Sequence, residues 1–483
     1  MKIDFLQEPE LEFGDHGRHI DIRYGLMDYR PLDYSSKTVP RDIKIGIIGT
    51  SETIEGVEEW IEMCRQGLPA KPSGKTNFYP EFPGFGSETC LPSTLITETT
   101  LNRTILNQTL KELEGINNIN ELIKQAVNIF YEEIQTLTEK IKPDVVICAL
   151  PEILLDLMKM KIVPDSDETL EEQSDGMRID FRALLKARVM KLRQPTQIIL
   201  PSTYDMTKKR RRKKRNSEIE TNQDDATRAW NFYVALYYKA QGSPWRLVRD
   251  PRDLSTCFVG ISFYKALDKS TIQTSIAQIF NERGEGIILQ GGEAKISKDD
   301  KAPYLQEADA AKLLDDCLVN YRKEHQTFPA RVVLHKTSRF KTEEIIGFQE
   351  ALKQNRIDSW DFISFDDKSS TRLFRYDYYP PLRGTMLSLD EKVHIIYTRG
   401  SVNFFSQYSG KYIPRPLRFR CDQIQETPKQ IAKEILCLTK MNWNNTQFDR
   451  RDPITIRAAR QVGEVLKYLN KDETYEPYYR FYM

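Results

Sequence analysis

Residues 44–49 read KIGIIG and residues 144–152 read DVVICALPE. An unbroken apolar run closed by a turn signal is the pattern of a strand buried on both faces. A helix is predicted after the first run, from about Glu52 to Gln66, and another over 119–141 leads to the second. A third run, PTQIIL at 195–200, follows a helix predicted over 180–193. Strands that alternate with helices build a parallel sheet, because a parallel neighbour is reached only by a crossover. The first half therefore reads as a Rossmann-like α/β unit, with ligands expected at strand C-terminal ends.

Working outward, CFVGISFY begins near Thr256, GIILQGG follows at 286–292, and a helix over 306–324 leads to ARVVLHKTS at 330–338. Further apolar strands precede a final helix at about 454–469. This is a mixed sheet with helices. At 483 residues the chain exceeds the size at which a single core keeps growing, so two domains of roughly 200 residues are expected. The divisions read as an N-terminal segment over 1–40, a first domain over 41–250 and a second over 251–483.

Hydrophobic residues at 40% against 29% charged exclude a disordered chain. Seven widely spaced cysteines without a C-x-x-C pair argue against a zinc or redox site and fit a reducing cytoplasm. The start, MKIDFLQEPELEF, lacks the apolar core of a signal peptide, and no apolar run approaches the roughly 18 residues of a membrane span. A net charge of +1 from 71 basic and 70 acidic residues speaks against a generally basic coat, yet Lys208–Asn216 reads KKRRRKKRN. Eight successive cations form either a solvated, self-repelling loop or a phosphate contact, and a loop that orders on nucleic acid is both. Lys209, Arg211 and Arg212 are candidate backbone contacts there.

Three stretches carry candidate phosphate chemistry. On the helix over 180–193, Phe181, Leu184, Leu185 and Leu192 face a core, while Arg182, Lys186 and Arg193 form a cationic stripe. A solvated face explains such a stripe equally. A helix over 222–241, stopped by Gly242-Ser243-Pro244, carries Lys239 in its last turn, where a cation also offsets the helix dipole. Ala235 and Asn231 lie one and two turns back. Gln197 sits inside an apolar strand, where its amide needs partners. Arginine, lysine and amide donors aimed at one point would suit a terminal phosphomonoester.

The order of RALLK at 182–186, PTQ at 195–197 and NFYVALYYKAQGSPW at 231–245 resembles the MID domain of Argonautes. The resemblance implies a guide 5′-phosphate site made of Arg182, Lys186, Gln197, Asn231 and Lys239. CFVGISFY, VVLHKTSRF at 332–340 and LTKMNWNNTQFD at 438–449 followed by PITIRAARQVGEVLKYL resemble the PIWI domain, an RNase H-like fold. Nothing resembles the N and PAZ domains, so the resemblance points to the short prokaryotic Argonautes. In that family an aromatic tail tucks inward and its carboxylate helps Mg2+ hold the guide phosphate; YEPYYRFYM makes Met483 the expected metal ligand.

The resemblance also implies an inactive PIWI domain. Cleavage by two metal ions needs clustered carboxylates, and Ser262 and Thr337 stand where the family's catalytic aspartates are expected; no catalytic residue is assigned. Asp366 and Asp367 read as a strand-end turn, PAKPSGKT at 69–76 lacks the first glycine of a P-loop, and five scattered histidines give no zinc site. Lys336 and Arg339 are candidate strand contacts that could equally be solvated. Short Argonautes of this kind work with an APAZ-domain effector, and EFGDHGRHIDIRYGL with the basic insertion favours a sirtuin-like NAD hydrolase over TIR-type or nuclease-type partners. The implied function is recognition of single-stranded DNA by a guide RNA without cleavage, activating the effector in defence against plasmids or phage. A guided endonuclease and a structural subunit with a vestigial pocket are the rival readings.

Overall fold

The protein is described by a computed structural model covering all residues except 38, 159–178, 206–222, 249–253, 268–270, 281–285, 367–370, 377, 406, 407, 409, 411, 448, 470–472 and 474, together with the side chains of 76 and 276–280. It is an α/β protein built on two sheets. The first has four parallel strands in the order Thr94–Thr104, Asp42–Gly49, Val145–Ala149, Thr196–Ile199. Val145–Ala149 is buried throughout, as expected where helices cover both faces. Ser51–Gln66, Ile119–Lys140 and Phe181–Val189 make the crossovers. Each starts at a side-chain cap, Thr50, Asn118 and Asp180 accepting from backbone N–H groups of the first turn, and caps of this kind contribute about 1 kcal/mol each.

The sequence patterning misses Thr94–Thr104, TLITETTLNRT. This strand lies at the sheet edge and pairs with one neighbour only. Its outer side is solvated, so polar residues suffice and no apolar run marks it. The helix expected over 180–193 is also shorter: it ends at Val189, continues as a single tight turn over Met190–Leu192, and leaves Arg193 in the left-handed region at φ 51°. The expected Arg182–Lys186–Arg193 stripe is therefore not one helix face.

The second sheet has ten strands. Thr256–Lys265, Arg331–Lys336 and Ser359–Asp366 run parallel at its centre, and the flanking strands are antiparallel. Glu307–His325 and Thr342–Gln354 pack with one apolar core and Ile454–Leu466 with another. Gly260 is needed here because a Cβ at that position would lie 2.1 Å from the Thr455 carbonyl oxygen.

Residues 1–40 are not a separate segment. Lys2–Phe5 adds an edge strand to the large sheet against Thr385–Ser388, and Leu11–Glu12 pairs with both Arg18–His19 and Arg246–Leu247. Between them Glu8 bridges two fully buried cations, at 2.8 Å from Arg383 Nε and 2.7 Å from Lys440 Nζ. Lys440 also donates to the carbonyls of Pro9 and Ile20. Burial alone would raise the Glu8 carboxyl, but the attraction of Arg383 and Lys440 outweighs it and the net shift is downward. A lowered folded-state value means that this contribution is complete above the ordinary carboxylate range and is lost as pH falls through the lowered value.

Glu8→Ala is expected to lower the unfolding free energy by about 3–5 kcal/mol, since it leaves two buried cations without their counter-charge. Urea denaturation at neutral pH measures the loss, and repeating it toward pH 3 is expected to narrow the gap between wild type and variant.

Candidate functional site

The RALLK helix begins at Asp180, whose carboxylate accepts from Ala183 N at 2.6 Å. Phe181, Leu184, Leu185 and Val189 are buried on its core side. Arg182 and Arg188 are exposed, but Lys186 is only 2% exposed and donates to the Thr196 carbonyl at 3.2 Å. Lys239, the last residue of Asp225–Lys239, is 1% exposed and donates to Gln197 Oε1. The Gln197 amide in turn donates to the Ile198 carbonyl at 3.2 Å.

Both ammonium groups are thus out of water with neutral acceptors, and among the described residues no carboxylate pairs with either. Burial, then the charges of Lys239 and Arg182, push Lys186 well below the usual lysine range. Burial and Arg182 push Lys239 down to about 7. Buried like charges of this kind are costly unless an anion arrives. Arg182, Lys186, Gln197 and Lys239 are therefore brought to one place, from two helices and a strand.

Lys239 also lines a cavity of about 490 Å3 between the first sheet and the C-terminal tail. Lys142, Arg193 and Arg480 add positive charge to its wall against Asp144 and Glu476. Arg193 is exposed and pairs with Glu476 at 2.8 Å, and Lys191 pairs with Glu473 at 2.7 Å, so two ion pairs fasten the tail to the turn before Gln197. The tail packs inward: Tyr479, Phe481, Tyr482 and Met483 are all buried in the main core. Lys142 and Arg480 carry no local motif, and only the fold reveals them as wall residues.

Asn231 stands elsewhere. Eight residues before Lys239, or about 12 Å along a helix, its side-chain oxygen accepts from Thr446 N and Oγ1 at 2.9 and 3.0 Å. Its amide donates to Gln223. It lines a second cavity between the two halves, with Arg23, Tyr79 and Gly400. It ties its helix to the Thr446 segment and does not share the Lys239 cluster.

Lys336 is also displaced from its expected role. It is fully buried, 2.6 Å from the equally buried Glu344, and donates to the Arg339 carbonyl. Its position at the end of an apolar strand puts it beneath Thr342–Gln354 instead of at the surface. Arg339 is exposed, and Lys209, Arg211 and Arg212 lie outside the described residues.

At the centre of the large sheet, Ser262 lies within Thr256–Lys265 and Thr337 directly follows the adjacent parallel strand Arg331–Lys336, with Thr337 N donating to the Ile261 carbonyl at 3.1 Å. The final helix lies across them, with the Ala459 carbonyl accepting from Ser275 Oγ at 2.8 Å. Asp366 pairs with Arg418 at 3.5 Å, and Asp422 accepts from Ser364 and pairs with Arg420. No group of three or more histidine, cysteine or acidic side chains that could hold a metal occurs among the described residues, and no helix among them is long and apolar enough to cross a membrane.

A scan of protein-family models and a search of curated proteins returned no match. Among solved structures, the chain is similar to Clostridium butyricum Argonaute bound to a guide DNA and a 19-mer target DNA, with a TM-score of 0.64 and 16% identity over 98% of this chain and 53% of that one. It is likewise similar to Drosophila Piwi (TM-score 0.61, 12% identity, 99% and 56% covered) and to A. aeolicus Argonaute (0.58, 16%, 97% and 54%). The fold is Argonaute-like, and the chain spans about half the length of these structures.

Lys336→Met separates the two roles considered for that residue. It is expected to destabilise the protein by about 3–5 kcal/mol by stranding Glu344 while leaving the affinity of the folded fraction for oligonucleotides unchanged; thermal unfolding and binding titrations on the same preparation check this.

Proposed function

We propose that this chain anchors the 5′ phosphate of a guide RNA on Arg182, Lys186, Gln197 and Lys239 and offers the guide to a complementary single-stranded DNA. The observation that carries the reading is the pair of buried lysines, Lys186 and Lys239, with which no carboxylate among the described residues is paired. A fold gains nothing from holding two lysines dry and mutually repelling, whereas a doubly charged terminal phosphate turns the same cost into charge-assisted hydrogen bonds. Arg182, exposed beside them, would close over the phosphate from solvent. The similarity in fold to an Argonaute bound to guide and target DNA supports the same class of ligand. Base pairing would read the sequence, so the protein needs backbone contacts, to which Arg193, Arg339 and the basic loop would contribute.

In this reading the chain binds without cutting. Ser262 and Thr337 supply hydroxyls where two divalent ions would need carboxylates, and Asp366 and Asp422, on the neighbouring strands Ser359–Asp366 and Leu417–Gln423, are engaged by arginines. A separate chain then supplies the chemistry. The proposal names an APAZ-domain effector, a sirtuin-like NAD hydrolase favoured over TIR-type or nuclease-type partners, acting in the cytoplasm in defence against invading DNA. A Mg2+ ion on the guide phosphate would need only one or two protein carboxylates besides phosphate and water oxygens. The carboxylate at Met483, on the buried tail, is the group proposed to hold it.

Lys186→Met/Lys239→Met removes both charges and keeps the volume. Affinity for a 5′-phosphorylated RNA is expected to fall by about 2–4 kcal/mol, with little change for the 5′-hydroxyl form. The same substitution is expected to raise the unfolding midpoint of the unliganded protein, because it removes buried charge. Equal losses for both RNAs, in filter-binding titrations, would remove the phosphate assignment. Release of product from a labelled target in Mg2+ or Mn2+ would overturn the non-cutting reading.

Phosphate binding is also expected to take up protons. Lys239 sits near 7 without ligand, and a bound dianion returns it toward its ordinary value. Above pH 7 the free protein has lost that proton and the complex regains it, so affinity falls as pH rises. Calorimetry at pH 8 in two buffers of different ionisation enthalpy measures the uptake, expected to be reduced in Lys239→Met, where Lys186, also pushed down, can still take up a proton.

A further inference from the structure

Between the central strand Ser359–Asp366 and the outer strand Thr385–Ser388 the chain reads TRLFRYDYYPPLRG over 371–384. Phe374 is 78% exposed, Tyr376 and Tyr378 are fully exposed, and Tyr379 is partly so. Large aromatic side chains this close together at a surface mark a binding face. The segment is held in place: Leu373 N donates to Tyr397 Oη at 2.8 Å, and Arg375 Nε donates to the Tyr379 carbonyl at 3.1 Å. Pro380 is buried at its base, so the rings are presented on a closed loop.

Charge says what such a face receives. Arg372 and Arg375 in this loop and Arg415 beyond it stand against a single acid, Asp377, whereas Arg383, Arg418 and Arg420 are already paired with Glu8, Asp366 and Asp422. Aromatic faces interleaved with cations suit a single strand of nucleic acid, because every base offers a π-face and every linkage a negative charge. An aromatic face for a protein partner would not require that imbalance. Position agrees. Leu382 forms a bridge with Ser401, Arg383 N donates to the Ser401 carbonyl, and Gly400 next to it lies against the Pro381 carbonyl. Gly400 lines the cavity between the two halves, with Arg23, Lys71 and Tyr79. The loop is thus continuous with the cleft between the domains.

We infer that Phe374, Tyr376 and Tyr378, flanked by Arg372 and Arg375, form a stacking surface for single-stranded nucleic acid at the mouth of the inter-domain cleft. The surface acts on unpaired bases and does not depend on a 5′ phosphate, so it stands apart from the Lys186–Lys239 cluster.

The test uses the full chain and fluorescein-labelled dT20 with a 5′ hydroxyl, which leaves the phosphate cluster out of the readout. Anisotropy titrations over a range of salt are expected to show a Kd raised at least about tenfold in Phe374→Ala/Tyr376→Ala/Tyr378→Ala. The corresponding triple tryptophan variant is expected to retain wild-type affinity within about threefold, because it keeps the π-faces. Arg372→Gln/Arg375→Gln is expected to flatten the slope of log Kd against log salt by about 0.7 per lost phosphate contact. Because the rings are exposed, all three variants should keep the wild-type near-UV spectrum and unfolding midpoint. An unchanged Kd in the alanine variant overturns the inference, as does an equal loss in the alanine and tryptophan variants. An alanine variant altered only in self-association, by sedimentation velocity, would reassign the face to a protein contact.

Discussion

Two lysine ammonium groups kept from water and, among the described residues, from any carboxylate set the terms for the rest of the molecule. Among the described residues Lys186 donates to the Thr196 carbonyl and Lys239 to the Gln197 amide oxygen. The cost of such an arrangement must be borne by packing around it, and the packing is extensive. Val145–Ala149 is buried throughout, the helix carrying Lys239 is buried along nearly its whole length, and the aromatic tail closes one side. A site of this kind is a reservoir of electrostatic free energy released when an anion binds.

The surroundings hold the cluster through connections distant in sequence. Glu8 ties the N-terminal strand to Arg383 and Lys440. Trp245, just after the Lys239 helix, donates to the Lys440 carbonyl at 3.1 Å, and Asn231 on that helix reaches Thr446. Lys191 and Arg193 fasten the tail through Glu473 and Glu476. The part of the chain around the first sheet is thus fixed to the large sheet on several sides. Buried pairs differ here in purpose: Lys336–Glu344 and Glu8 with its two cations are balanced and structural, whereas Lys186 and Lys239 are left open.

Much of the architecture was legible because buried parallel strands must be continuous apolar runs. KIGIIG, DVVICALPE and VVLHKTSRF each overlap an observed strand, at Asp42–Gly49, Val145–Ala149 and Arg331–Lys336. What escaped were elements whose stabilisation is one-sided. Thr94–Thr104 and Lys2–Phe5 are edge strands with polar, partly exposed faces, and a period-2 signal weakens when one side meets water. Ile272–Phe280, the antiparallel neighbour of Thr256–Lys265, was passed over because QTSIAQ interrupts its apolar character.

The candidate site divides along the same line. Residue order alone brought Arg182, Lys186, Gln197 and Lys239 to attention, since helix spacing and a buried-strand amide are local properties. Whether a cation is solvated, paired or stranded is not local. Lys186 and Lys336 both lie in apolar stretches, yet among the described residues one lacks a carboxylate and the other meets Glu344. Asn231 lies on the same helix as Lys239 but turns to the other domain. The sequence by itself determined the alternation of strands and helices, because backbone hydrogen bonding and apolar periodicity act over a few residues. Only the tertiary structure decided which charges are left without a partner, because that depends on which distant carboxylates the packing brings within about 4 Å.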